Sequence, residues 1–144
     1  MRKFTLVLPV FVLTLSVLAC GSFSAPESCG DEIGGTADDV LFGQYFESME
    51  LVSANTYQPG TQGENGVEFA AGESLLIMFD AKTDVEVRAC IQNTIGGGEI
   101  AFDQTSSFIS GENEFSVGVF EPSNYVIRVI VDGVLVKNFP FEVK

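Results

Sequence analysis

The chain has 144 residues, with seven basic and 20 acidic side chains, no histidine and no tryptophan, for a formal charge of −13. A charge of that sign repels nucleic acid and anionic headgroups, so neither is an expected partner. Without histidine, Ser-His-Asp and Cys-His nucleophile pairs are excluded, and the commonest zinc and copper ligand is missing.

The chain opens MRKFTLVLPVFVLTLSVLACG. Arg2 and Lys3 make a basic start, and Phe4 to Ala19 follow without a charge. A basic start, an apolar run and small residues at its exit read as a secretory signal. The competing reading is a transmembrane helix. That needs about 20 apolar residues, whereas this run is shorter and contains Pro9, and GSFSAPES after it has no Lys or Arg to stop transfer.

The exit Val17-Leu18-Ala19-Cys20-Gly21 resembles the lipobox of bacterial lipoproteins. That resemblance implies cleavage before Cys20, a thioether lipid on its sulfur and acylation of the new amino terminus. Two or more acyl chains anchor stably, because each buried CH₂ contributes about 0.8 kcal/mol. The expected address is therefore extracytoplasmic, with the protein lipid-anchored to the cell membrane or outer membrane of a bacterial envelope. The expected division is a signal peptide over 1–19, a lipidated cysteine with tether and loop over 20–37, and one domain over 38–144.

Cysteine arithmetic fits this division. The chain has Cys20, Cys29 and Cys90. If Cys20 carries lipid, Cys29–Cys90 is the only intramolecular bridge left, and an exported protein meets an oxidising environment. Two free thiols are the alternative. As a metal site the pair is poor, because two sulfurs without histidine do not complete a tetrahedral shell. Removing Arg2 and Lys3 leaves five basic residues against 20 acidic, a charge of −15. The acids are spread through turns and strands, which suits solubility; a saline habitat or a cationic partner is also compatible.

Cys29–Ala37, CGDEIGGTA, is a polar, glycine-rich loop by composition. The next stretch is ambiguous. Leu41, Tyr45 and Met49 fall at helical spacing with Thr36 or Asp38 as a cap, while YFESMELVSA alternates as a strand does. The expectation is a short helix or turn near Asp39–Gln44 and a strand near Phe46–Ala54. Thr56–Gly66 reads as a loop around Pro59-Gly60. Strands are expected at Val67–Ala70, Ser74–Asp80 and Asp84–Gln92. In the last of these Val85, Val87, Ala89 and Ile91 share one face, and Glu86, Arg88, Cys90 and Gln92 the other. Gly96-Gly97-Gly98 is a hairpin loop. Glu99–Asp103 and Ser106–Ser110 are short strands. Asn113–Phe120 follows, with Phe115, Val117 and Val119 on one face.

Tyr125–Val131 and Val134–Phe139 flank Asp132-Gly133. Asp-Gly between β-branched runs is a strong hairpin signal, because a type I′ turn needs positive φ at both central positions. A two-residue loop sets Val131 opposite Val134 and Val129 opposite Val136. Pro140 cannot donate to a ladder and marks an edge or bulge.

Short strands at this spacing with little helix indicate an all-β, antiparallel sandwich of about seven strands. The closing segment SNYVIRVIVDGVLVKNFPFEV also resembles the last hairpin of bacterial immunoglobulin-like domains. If the resemblance holds, Cys29–Cys90 ties the N-terminal loop to the sandwich and does not bridge its sheets.

No chemistry-bearing motif stands out: G-x-S-x-G, G-x-G-x-x-G and the phosphate-binding G-x-x-x-x-G-K-[ST] are all missing. Asp80-Ala81-Lys82-Thr83-Asp84 is a weak match to a calcium loop, with Val85 where the turn needs Gly and Ile91 where the bidentate Glu belongs. The expectation is a binding protein with no catalytic residue, metal or cofactor, held to the membrane through Cys20 and directed at a protein or glycan partner. A structural or accessory envelope lipoprotein is the alternative, and a carboxylate-dependent hydrolase a more distant one.

Overall fold

The structure is a computed structural model that describes Cys29 and residues 35–144. Residues 1–19, read above as a signal peptide, and Cys20 lie outside the described residues.

The ambiguous stretch contains both elements, in sequence. Asp38 accepts a hydrogen bond from the Leu41 amide at 2.8 Å and caps helix α1, Asp39–Tyr45. Phe46 then turns extended and opens strand β1, Phe46–Ser53. The other strands are β2 (Thr61–Gly63), β3 (Gly66–Phe69), β4 (Ser74–Ala81), β5 (Val85–Asn93), β6 (Ile100–Phe108), β7 (Gly111–Val119), β8 (Ser123–Val131) and β9 (Val134–Val143). They form a three-stranded sheet, β1-β4-β7, and a six-stranded sheet, β2-β3-β9-β8-β5-β6. Neighbours are antiparallel except β3 and β9, which run parallel.

The strand order is that of an immunoglobulin-type sandwich: β4 beside β7 in one sheet, and β5, β8 and β9 together in the other. A tyrosine corner supports the same assignment. Tyr125, at the start of β8, donates its hydroxyl to the Glu121 carbonyl at 2.9 Å. Among the described residues nine strands stand where about seven were expected. Part of the difference is β2, inside the segment read as a loop; it pairs with β3 across a tight turn, Gly63 opposite Gly66. The two short strands expected over 99–110 are one continuous β6.

The inner faces meet in one core that includes Leu75, Ile77, Val87, Ile91, Ile127, Val129 and Val136. Aromatic rings fill both ends of it. At one end Phe46, Phe79 and Phe108 pack edge to face at 5.6 and 4.9 Å, and Phe115 joins them. At the other, Phe120, Tyr125 and Phe141 lie 5.1–5.5 Å apart. Such pairs contribute about 0.5–1.5 kcal/mol each beyond the area they bury.

Two expected face assignments are corrected by bulges. In β7, Leu75 of β4 opposes Gly118 and Leu76 opposes Ser116, so Val117 is an extra residue. Gly118 takes φ +96° there. The phase of alternation flips beyond it: Val119 is 59% exposed, and Phe120 takes the inward position at 7%. In β9, Val131 opposes Val134 as expected, but Val129 opposes Lys137, because Val136 is an extra residue. This bulge lets Leu135 face outward and Val136 inward, both buried.

The hairpin tip has φ +51° at Asp132 and +76° at Gly133, the signature of a type I′ turn. Pro140 lies just before β9 starts to pair with β3 at Phe141. Upstream, the open side of β9 is met by the chain entering α1, where the Asp38 amide donates to the Leu135 carbonyl at 2.8 Å. Replacing Gly133 by Val forces a β-branched residue into positive φ, at a cost of about 1–3 kcal/mol. A urea titration should show the midpoint lowered with the slope unchanged; an unshifted midpoint contradicts the turn assignment.

Candidate functional site

Cys90 lies on the outer face of the six-stranded sheet, opposite Arg128 of β8 and Asp103 of β6. An outward position on a sandwich is normally solvated, yet Cys90 is fully buried. It is bonded to Cys29, with the two Cα atoms 5.8 Å apart. Cys29, Cys90, Ile130 and Leu135 form a second small apolar cluster, with Ala37 and Ile100 packed against it. The bridge therefore fastens Cys29 to the outside of one sheet. It does not join the two sheets.

The opposite outer face, on β1-β4-β7, is acidic. Pleating places Glu50, Met78 and Glu114 in one cross-strand row and Ser48, Asp80 and Glu112 in the next. Asp80 sits directly opposite Glu112, an arrangement that opposes pairing by like-charge repulsion. Ser48, Glu50, Met78, Asp80 and Glu112 line one partly open depression.

Basic side chains are engaged elsewhere. Arg88 makes a two-pronged contact with Asp103, Nε to Oδ1 at 2.8 Å and Nη2 to Oδ2 at 2.7 Å. Lys144 donates to Glu68 at 2.6 Å. Lys82 donates to the Gly43 carbonyl at 2.7 Å and pairs with Glu47 at 3.3 Å. The Lys137 ammonium stands over the rings of Phe42 and Phe139 at 5.2 and 5.7 Å.

Among the described residues four groups have raised pKa values. The bond from Tyr45 to Asp132, 2.6 Å long, raises the Tyr45 phenol. Burial, then the charge of Glu121, raises Tyr125. The bond to Asp103 raises Arg88, and the bond to Glu68 raises Lys144. Each group is thereby held in the protonation state it already has at neutral pH, so none of the four is tuned as a general acid or base.

The two acids of the calcium-like turn part company. Asp80 belongs to the acidic face, while the Asp84 carboxylate accepts from the Ser110 amide at 3.0 Å and braces the link from β6 to β7. Among the described residues no three His, Cys, Asp or Glu side chains converge to hold a metal ion. Gly96-Gly97-Gly98 lies in the connection from β5 to β6, where Gln92 Nε2 donates to the Gly98 carbonyl at 2.7 Å. Cys20 falls outside the described residues, so its placement relative to Cys29 and Cys90 is not part of the site geometry. The Tyr45–Asp132 contact spans 87 residues and has no local signal in the sequence. The corner at Tyr125 has one, a tyrosine opening a strand just after Glu121-Pro122-Ser123-Asn124. No known protein family and no curated protein matches the chain.

Two outcomes are expected. Alkylation of the unreduced protein followed by intact-mass measurement should leave Cys29 and Cys90 unlabelled. Reduction should destabilise the fold by up to roughly 4 kcal/mol, the chain-entropy figure for a closed loop spanning a separation of 61 residues. Uptake of label at both positions contradicts the bridge. The second outcome concerns pH. Tyr45, Tyr125 and Lys144 have folded values raised above their ordinary values of about 10. Their contribution to stability is complete below pH about 10 and is lost as pH rises through the raised folded values. Stability should therefore fall above pH about 10, and Tyr45→Phe should shrink that fall. A wild-type stability curve that stays flat through the alkaline range contradicts the assignment.

Proposed function

We propose that this protein is a cell-envelope lipoprotein, anchored through lipid on Cys20, that works as a non-catalytic binding module for a protein or glycan. The observation that carries the reading is cysteine parity. The structure pairs Cys29 with Cys90, which leaves Cys20 of Val17-Leu18-Ala19-Cys20 as the unpaired third cysteine. A bridge of this kind belongs to an oxidising compartment, the same one the export signal addresses.

The position of the bridge adds support. Eight residues lie between Cys20 and Cys29, and the nine steps span at most about 30 Å when fully extended. The tether thus reaches the domain at the outer face of the six-stranded sheet. The acidic face of β1-β4-β7 is on the far side of the sandwich, and Ser48, Glu50, Glu112 and Glu114 are exposed there among the described residues. A partner with a cationic surface associates fastest with such a face, and added salt weakens that encounter. Tethering at a membrane raises the effective concentration for a weak contact.

Cys20→Ala should release the protein from membranes and abolish acyl labelling; unchanged membrane retention overturns the anchor. Crosslinking on intact cells followed by identification of the captured species tests the binding role. Turnover of a substrate by the purified protein, lost on changing one acidic residue, replaces this reading with a carboxylate-dependent hydrolase. Loss of an envelope complex without loss of any direct contact favours the accessory role.

A further inference from the structure

We propose that two copies of this chain associate through β6, edge to edge and antiparallel, so that the two six-stranded sheets continue into one. This goes beyond the binding role above and does not depend on lipidation.

The two sheets leave four edge strands: β1, β7, β2 and β6. Three carry the usual protections against edge pairing, which are charge, bulges or short length. β1 has Glu47 and Glu50 and an irregularity between Phe46 and Ser48. β7 has Glu112 and Glu114 and its bulge at Val117. β2 is three residues long. β6 has an irregularity of its own at Ala101, near its start, but a long regular run beyond it. Beyond Ala101 it pairs with β5 without interruption from Phe102 to Phe108, seven residues. It has no Lys and no Pro, and its single charge, Asp103, is neutralised by Arg88. In a chain of this net charge, β6 is the long edge where self-repulsion is weakest.

The sequence of that edge, FDQTSSF, is also self-complementary. A two-fold axis perpendicular to the sheet keeps inner face with inner face, so a residue on the axis must oppose itself. Only an axis at Thr105 pairs all seven residues. It sets Thr105 opposite Thr105, Gln104 opposite Ser106, Asp103 opposite Ser107, and Phe102 opposite Phe108. No two like charges are opposed. The aromatic and hydroxyl pairs are of kinds that stabilise antiparallel strands. Phe102 and Phe108 are half-buried at the rim of the core and each lies against Phe115 of β7, so a second copy would cover their remaining exposed edges.

This packing also places β7 beneath β6 on the same side of the sandwich. Pairing through β6 therefore brings the Glu112 and Glu114 side chains of both copies closer together. Salt screens that repulsion, so self-association strengthens as salt rises. Binding of a cationic partner changes in the opposite direction.

The test uses the full chain, in whichever cell fraction holds it, with single substitutions Thr105→Cys, Ser107→Cys and Ser48→Cys, and a short bis-maleimide as the probe. Ser48, exposed on β1 at the far edge of the other sheet, is the control. Crosslinked homodimer should form at position 105, decline at position 107, and be at least about tenfold lower at position 48, where only collisions contribute. Sedimentation of the purified wild-type chain in detergent should show more dimer at high salt than at low salt, and Thr105→Lys, which sets two ammonium groups face to face, should abolish it. The proposal is overturned by a chain that stays monomeric at every salt concentration, by equal crosslinking at all three positions, or by capture of a different protein through Cys at position 105. Each of these readouts is independent of acyl labelling and of the identity of the binding partner, so either reading can fail without the other.

Discussion

Two sheets can share a single core only if every strand keeps its apolar side chains on the inner side, and in this chain that condition governs the rest. A strand that slips by one residue turns its whole apolar set toward water. The extra residues Val117 and Val136 are the places where the condition is met by inserting a residue and not by slipping. The first brings Phe120 into the aromatic group with Tyr125 and Phe141. The second serves two cores from adjacent positions of one strand, Val136 inside the sandwich and Leu135 on its outer face. The tyrosine corner then fixes the crossing from β7 to β8 between the two sheets.

The outer cluster explains why Cys90 is found where a polar residue would otherwise sit. A sandwich face that looks outward gains nothing from Ile130 or Leu135 unless something covers them, because the gain from apolar burial scales with area removed from water. Here Cys29 and Ala37 provide the cover, the bridge holds Cys29 in place, and the Asp38–Leu135 backbone bond closes the open side of β9. Cys29 is thus part of the folded unit. Tyr45 links the following helix to the hairpin tip at Asp132, so the start of the domain and its last hairpin are stabilised together.

Much of this was legible in the sequence, and where it was not the reason is physical. Strict alternation in Val85–Ile91 and the Asp132-Gly133 turn identify their strands because each depends on near neighbours. The helix at Asp39–Tyr45 and the strand after it were legible for the same reason: a cap at Asp38 and a change from helical to alternating period at Phe46. Val119 and the partner of Val129 were misassigned because a bulge is a property of two strands, and neither strand alone reports the mismatch. β2 escaped because three residues carry almost no periodicity; its pairing comes from the two-residue turn before Gly66. Of the candidate site, the Cys29–Cys90 pairing followed from counting cysteines, whereas the acidic rows on β1-β4-β7 arise only from cross-strand register.

The charge of the protein does more than keep it in solution. Acids placed on β1 and β7 make those edges repel copies of themselves, and the bulge in β7 disrupts its ladder as well. The same side chains form the rows that attract cations. Protection against self-pairing and attraction for a cationic partner are thus one feature read in two directions. β6 stands outside this arrangement, since its one carboxylate is consumed by Arg88 and its other polar side chains are neutral. The proposed binding surface and the proposed self-pairing edge can coexist on one small sandwich because they are built on different sheets. Salt would separate the two proposals, weakening contact at the first and strengthening contact at the second.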